Sequence, residues 1–165
     1  MSVQESTTVN APIDRVVEAY ASEDFARFTC DKLRISFENF SMSGETAGAF
    51  TATTTRAVSA ERIPDIAKKF ISKGVQMTQE DSISAPAADG SRTVSSQIKV
   101  NGLPITAKAT QQLSAQGEKT QVLVSGDVNC GIPLVGKKLA AAAEPHIGKV
   151  LSRLGLYVEE WVSKN

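Results

Sequence analysis

In several segments of this chain, apolar and polar residues alternate with the two-residue period of β-strands that bury one face. In one such segment Val94, Ile98 and Val100 fall on the same side, and the following Asn101-Gly102 pair is a strong signal for a hairpin turn. Threonine and valine, which favour strands, are frequent in these segments. We predict about seven strands, over residues 3–9, 34–42, 48–58, 75–84, 92–100, 105–113 and 119–130.

The second of these strands changes face part-way along. Phe37 has one parity, whereas Phe40 and Met42 have the other. One extra residue in a β-bulge exchanges the two faces of a strand. We therefore predict a bulge near Glu38-Asn39, which turns all three apolar side chains toward the same side of the sheet.

Two short helices are predicted near the N-terminus, where the apolar residues recur with a helical period. Pro12 fits the first turn of a helix, with Asn10 or Ala11 as its cap. Ser22 opens a second helix, and acidic residues follow it where the helix dipole favours them.

Two further helices are predicted later in the chain. One lies between strands, over residues 63–71, and Gly74 ends it. The other is long, follows a loop over residues 131–136 and nearly reaches Asn165. Its apolar arc consists of Leu139, Ala143, Ile147, Val150, Leu151, Leu154, Val158, Trp161 and Val162. Pro145 predicts a kink or a break in this helix, because proline removes a backbone donor and clashes with the preceding turn.

The length of 165 residues predicts one domain, 1–165, with a core that needs no metal or disulfide. Cys30 and Cys130 have no metal-ligand spacing, and we interpret both as small buried hydrophobes. Basic and acidic residues number 18 each, so strong attraction to nucleic acid is not expected. The polar N-terminus and the lack of a long apolar run predict a cytoplasmic protein without stable membrane insertion.

The predicted order of elements resembles the START-like helix-grip (SRPBCC) superfamily, which includes the birch-pollen-allergen fold and polyketide cyclases. More narrowly, it resembles an uncharacterised actinobacterial family of that superfamily. The matching segments are APIDRV at 11–16, RAV at 56–58, IPDIAKKF at 63–70, GDV at 126–128, IPLVGKKL at 132–139 and EW at 160–161. The fold class expected is α+β, with a curved antiparallel sheet of six or seven strands wrapped around a long C-terminal helix. Short N-terminal helices and one helix between strands complete it.

This resemblance implies a hydrophobic cavity between the sheet and the C-terminal helix. Strand parity and the helical arc give candidate residues for its wall. The apolar candidates are Phe37, Phe50, Met77, Ile98, Ala109, Val124, Val150 and Leu154. The polar candidates are Arg56 and His146.

Several residues could carry chemistry, but none forms a recognisable catalytic set. His146, the only histidine, could act as a base or metal ligand, or lie at an interface without a reaction to perform. Arg56 and Asp81 share the inward parity of neighbouring strands, so they could form a partly buried ion pair. Arg56 could instead hold a ligand carboxylate or lie at an exposed strand end. We predict no metal, no cofactor and no catalytic residue.

The leading functional hypothesis is a non-catalytic protein that binds or carries a small apolar ligand such as a lipid or isoprenoid. One alternative is a cyclase- or hydrolase-type enzyme that uses the same cavity, with His146 or Asp81 inside it. A second is an interaction domain with a filled core and an unknown protein partner.

Overall fold

The structure is a computed structural model that describes the backbone of residues 2–63, 65–68 and 73–165. Within these ranges it describes all side chains except those of residues 2, 3, 5, 62, 66, 67, 143, 144 and 146–152. The strands are β1 Ser2–Val9, β2 Ser36–Gly44, β3 Phe50–Val58, β4 Val75–Ile83, β5 Arg92–Val100, β6 Ile105–Gln116 and β7 Lys119–Cys130. The α-helices are α1 Ile13–Tyr20, α2 Glu23–Leu33, α3 Asp65–Lys68 and α4 Gly136–Lys164, and a 3-10 turn covers Ala60–Arg62.

One antiparallel sheet of seven strands forms the body of the molecule, in the order β1-β7-β6-β5-β4-β3-β2. The helices pack on one face of this sheet, and α4 contacts β1 and β7. This arrangement confirms the predicted helix-grip fold with its long C-terminal helix. It also confirms the bulge, because the pairing of β2 with β3 shifts between Phe37 and Asn39.

The first two helices begin within one residue of their predicted positions. Helix α1 starts one residue later than expected: Pro12 occupies the cap position and no side chain caps the helix. Ser22 caps α2 as predicted, with its hydroxyl accepting from the amide of Phe25 at 3.4 Å. The third predicted helix is described only over Asp65–Lys68, and residues 69–72 lie outside the described residues. Of the kink or break predicted at Pro145, the break is wrong, since α4 continues through this residue.

The main core lies between the sheet and the helices α1, α2 and α4. Phe25 belongs to this core, with its ring edge-on to Tyr20 at a centroid distance of 6.3 Å and to Trp161 at 5.8 Å. Helix α4 approaches β1 closely at Gly155, where a Cβ would lie 3.2 Å from Cγ2 of Val9. The last turns of α4 are therefore fixed tightly against the sheet.

A second, smaller apolar cluster holds the start of α4 at the opposite end of the sheet. Ile63 and Leu139 are buried there, and Val58, Val75 and Cys130 pack against them. Cys130 is thus partly buried and Cys30 fully buried, and both are free thiols. Helix α4 is thus anchored near its two ends by separate apolar clusters.

Candidate ligand-binding face

The helix-facing surface of the sheet has two parts that differ in burial. In the first, called here the closed patch, the side chains are between 0 and 4% exposed and belong to the main core. The closed patch consists of Phe50, Ile83, Val94, Leu113 and Val122. In the second, called here the open patch, the inward side chains are only partly buried. The open patch consists of Arg56, Met77, Gln79, Ile98, Ala107 and Ala109.

The strand register places these patches on the same face. On β3, Phe50 and Arg56 are an even number of residues apart, so both side chains project toward the helices. Arg56 pairs with Met77, and Ile98 pairs with both Gln79 and Ala107 on its two neighbours. The open patch is therefore continuous across four strands, β3 to β6, in the central part of the sheet.

A buried carboxyl lies on the border between the two patches. Asp81 is 6% exposed and accepts a hydrogen bond from Ser96 Oγ at 2.5 Å and one from Gln79 Nε2 at 2.9 Å. Burial raises the pKa of Asp81, because a charged carboxylate loses its hydration there. The hydrogen bonds from Gln79 and Ser96 and the charge of Arg56 oppose this rise. Asp81 is thus held in the interior by polar partners, and no cationic side chain in the described part of the chain contacts it.

A second buried polar pair lies nearby. The hydroxyl of Tyr20 donates to Gln111 Oε1 at 2.9 Å. Burial raises the pKa of this phenol well above its usual range, the charge of Asp81 adds to the rise, and the bond to Gln111 opposes it. A void of about 10 Å³ lies beside this pair and is lined in part by Thr7, Leu154 and Gly155. It has room for about one water molecule, so this part of the interior is essentially filled.

The stability of the protein is expected to fall as pH rises through the titration of Asp81. The folded state keeps this proton at pH values where the unfolded chain has lost it, so the slope of unfolding free energy against pH is negative. The stabilisation of the folded state by this retained proton is complete below the ordinary carboxyl pKa of about 3.9. It is lost as the pH rises above the raised pKa of Asp81 in the folded state. Urea unfolding across pH checks this: the stability of wild type relative to Asp81→Asn should decrease from acid toward neutral pH. A flat difference would show that Asp81 titrates normally.

The structure distributes the candidate site residues over the whole helix-facing surface. Arg56, Met77, Ile98 and Ala109 lie in the open patch. Phe50 and Val124 are 4% exposed and belong to the core. Phe37 lies on the edge strand, where the guanidinium of Arg27 stacks over its ring at 4.2 Å. Leu154 packs against the main core beside the small void. His146 and Val150 belong to α4, and their side chains lie outside the described residues.

Of the alternatives for Arg56, the ion pair with Asp81 is not formed in the structure. The two strands are neighbours, as expected, but Asp81 pairs with Ala52 and Arg56 pairs with Met77. The two residues are thus separated by four positions along the strands, or about 13 Å of backbone. Asp81 is satisfied by Gln79 and Ser96 instead.

Comparison with known proteins identifies the family. Residues 4–162 match a family described as "Protein of unknown function (DUF2505)". The chain belongs to this family. No curated protein matches this DUF2505 chain.

Solved structures of several other proteins share the fold of this DUF2505 chain. The Zhui aromatase/cyclase of a Streptomyces species is 13% identical with a TM-score of 0.61, and the alignment covers 99% of this chain and 94% of that one. A protein of Thermus thermophilus is 14% identical with a TM-score of 0.60, and the alignment covers 99% of this chain and 98% of that one. A norcoclaurine synthase of Thalictrum is 14% identical with a TM-score of 0.54, and the alignment covers 99% of this chain and 94% of that one. At such low identity these likenesses establish the helix-grip fold alone.

The described residues of this DUF2505 structure lack two further features. None of its described helices is long and apolar enough to cross a membrane. The part of the chain that the structure describes contains no group of three or more His, Cys, Asp or Glu side chains arranged for a metal ion.

Sequence reasoning missed the polar partners within this DUF2505 interior. Ser96, Gln111 and Tyr20 were not proposed as site residues, although Ser96 has the parity of Val94 and Gln111 that of Leu113. A polar residue at an inward strand position was therefore the available signal. Its use requires the strand order, which determines that Ser96 lies opposite Asp81.

A shallow groove of about 560 Å³ also lies at the end of strands β2 to β5, partly on the outer face of the sheet. Hydroxyl-bearing side chains line much of it, including Ser43, Thr51, Ser82 and Ser95. It is separate from the open patch, because Thr51 and Ser82 have the outward parity of their strands.

Proposed function

We propose that this DUF2505 protein is a non-catalytic binding protein that sequesters a small apolar ligand, such as a lipid or isoprenoid, between the open patch and α4. The ligand would lie across the centre of the sheet, with Met77, Ile98 and Ala109 in contact with its apolar part. Arg56 would lie at its polar end. The mechanism is removal of the ligand from water.

The observation that carries this proposal is the difference in exposure between the two patches. On the same strands that bury Ile83 and Val94 to 2% and 0% exposure, Met77 and Ile98 remain partly exposed although they face the helices. Apolar surface in contact with water costs about 25 cal/mol per Å². A ligand that covers this surface recovers that free energy, which provides the driving force for binding.

The fold supports the proposal as an analogy. Among the structural neighbours are an aromatase/cyclase and a norcoclaurine synthase, both proteins that act on small molecules according to their names. One fold can host many functions, so this likeness does not transfer a reaction. The ligand class, the cytoplasmic location and the actinobacterial origin remain predictions that rest on the sequence.

Replacing Ala109 by tryptophan should weaken binding of the apolar dye N-phenyl-1-naphthylamine at least about tenfold, a change of about 1.4 kcal/mol. Ala109 lies in the open patch, so the indole fills space that the dye would occupy. Fluorescence titration measures the affinity. Gln112→Trp is the matched control, because Gln112 is exposed on the opposite face of the same strand.

The two variants also separate the alternatives. Thermal unfolding by circular dichroism must first show that Ala109→Trp is folded, and Ala109→Leu serves in its place if it is not. Equal dye affinity in wild type and the folded variant would reject the open patch as the binding site. A wild type that binds no dye would favour the interaction domain with a filled core. Native mass spectrometry with organic extraction then identifies the class of any ligand that co-purifies.

A second candidate function is a cyclase- or hydrolase-type enzyme. One observation favours it: Asp81 is buried at the border of the open patch with a raised pKa, beside the buried phenol of Tyr20. Asp81→Asn distinguishes the two functions. A binding protein keeps its affinity for the dye in this variant, whereas an enzyme that uses Asp81 loses turnover of the extracted ligand.

A further inference from the structure

Arg56 places a positive charge in the wall of the open patch. It lies between apolar neighbours, opposite Phe37 on β2 and Met77 on β4. Its strand parity is that of Thr54, which is 4% exposed, so its side chain projects toward the helices. The Nε atom of Arg56 is buried and has no hydrogen-bond partner in the described part of the chain.

The charge of this guanidinium reaches the interior of the fold. Burial raises the pKa of the Cys30 thiol on α2, and the charge of Arg56 opposes that rise. The same charge acts on Asp81, which nevertheless keeps a raised pKa and has Gln79 and Ser96 as its partners. Neither residue therefore serves as a contacting counter-charge for Arg56.

We propose that the ligand of this site is an amphipathic molecule with a carboxylate headgroup, and that Arg56 binds this headgroup. The inference rests on the proposed function and adds the chemistry of the ligand's polar end. A buried donor without a partner is costly, and a partly buried cation requires an opposite charge. A carboxylate provides both the hydrogen-bond acceptor and the negative charge. It accepts two parallel hydrogen bonds from the Nε and Nη atoms of the guanidinium. The apolar tail then covers Met77 and Ile98 on the adjacent strands.

Displacement of N-phenyl-1-naphthylamine by hexadecanoate and by hexadecanol tests the proposal. The two ligands have the same chain length and differ in the headgroup, which is ionised only in hexadecanoate at neutral pH and above. Wild type should bind hexadecanoate at least about tenfold more tightly than hexadecanol, as expected for a charge-assisted hydrogen bond. Arg56→Met should reduce this ratio of the two affinities to about one without weakening the binding of hexadecanol. Arg56→Lys, which keeps the charge but not the fork, should retain part of the preference.

Lys99→Met is the matched control, because it removes one positive charge from an exposed position on the outer face of β5. The ratio of hexadecanoate to hexadecanol affinity in Lys99→Met should equal that of wild type. This result would exclude a general effect of net charge. Equal affinity for the two ligands in wild type, or an unchanged ratio in Arg56→Met, would overturn the carboxylate proposal and leave the apolar site intact. If wild type takes up neither the dye nor the two ligands, the proposed function fails, and this inference fails with it.

Discussion

Replacing Trp161 by alanine is expected to lower the free energy of unfolding by about 3–5 kcal/mol. Trp161 is 6% exposed near the end of α4, and its ring packs edge-on against Phe25 with an interplanar angle of 71°. The substitution removes a large apolar side chain from the main core and an aromatic pair that contributes beyond its buried area. It therefore loosens the contact between α4 and α2.

Urea unfolding followed by circular dichroism measures this loss. Fluorescence is unsuitable, because Trp161 is the only tryptophan of the chain. Leu156→Ala is the control on the same helix: Leu156 is 62% exposed, and its truncation should change stability by about 0.5 kcal/mol or less. A loss below about 1 kcal/mol for Trp161→Ala would mean that the core at this end is looser than the structure indicates.

Replacing Arg92 by methionine is expected to lower the free energy of unfolding by about 3 kcal/mol. Arg92 is 4% exposed, and its guanidinium donates to three backbone carbonyls. Nε donates to Ser84 at 2.7 Å, and Nη2 donates to Thr46 at 3.1 Å and to Gly48 at 2.8 Å. These bonds connect the turn between β2 and β3 with the end of β4. Methionine preserves much of the apolar volume but leaves the carbonyls without their donor.

Arg92→Lys provides the sharper comparison for this residue. Lysine keeps the charge, but a single ammonium cannot reproduce the planar fork that reaches three carbonyls in different directions. We therefore expect Arg92→Lys to recover less than half of the loss, measured by urea unfolding. Hydrogen exchange should also show faster exchange in the turn over residues 45–49. Full recovery by lysine would mean that charge alone stabilises this position.

The strands could be predicted from sequence because one buried face leaves a clear two-residue period. The predicted limits of β5 and β7 agree with the observed ones, and the parity change between Phe37 and Phe40 located the bulge. The role of Arg92 could not be predicted in this way. An arginine at a strand end is usually exposed, and its three carbonyl partners belong to segments that only the folded sheet brings together.

The candidate site was predictable as a face but not as a set of contacts. Strand parity placed Arg56, Met77 and Ile98 on the side of the helices. It could not distinguish the open from the closed patch, since Phe50 and Arg56 have the same parity on the same strand. The partner of Asp81 depends on register: a shift of four residues along β3 decides whether Asp81 lies opposite Ala52 or Arg56. Register is determined by turns and packing that the local pattern does not contain.

The bulge in β2 has a consequence for the association of protein molecules with one another. The sheet is open, so β2 is an edge strand whose outer backbone groups are free to pair with a second chain. A shifted register between Phe37 and Asn39 interrupts the regular spacing of those groups, and the exposed carboxylate of Glu38 lies at the interruption. A strand that added to this edge would have to accommodate both the irregular spacing of the backbone groups and the carboxylate of Glu38. We therefore expect the bulge that brings Phe37 onto the inner face to make this edge a poorer template for strand pairing.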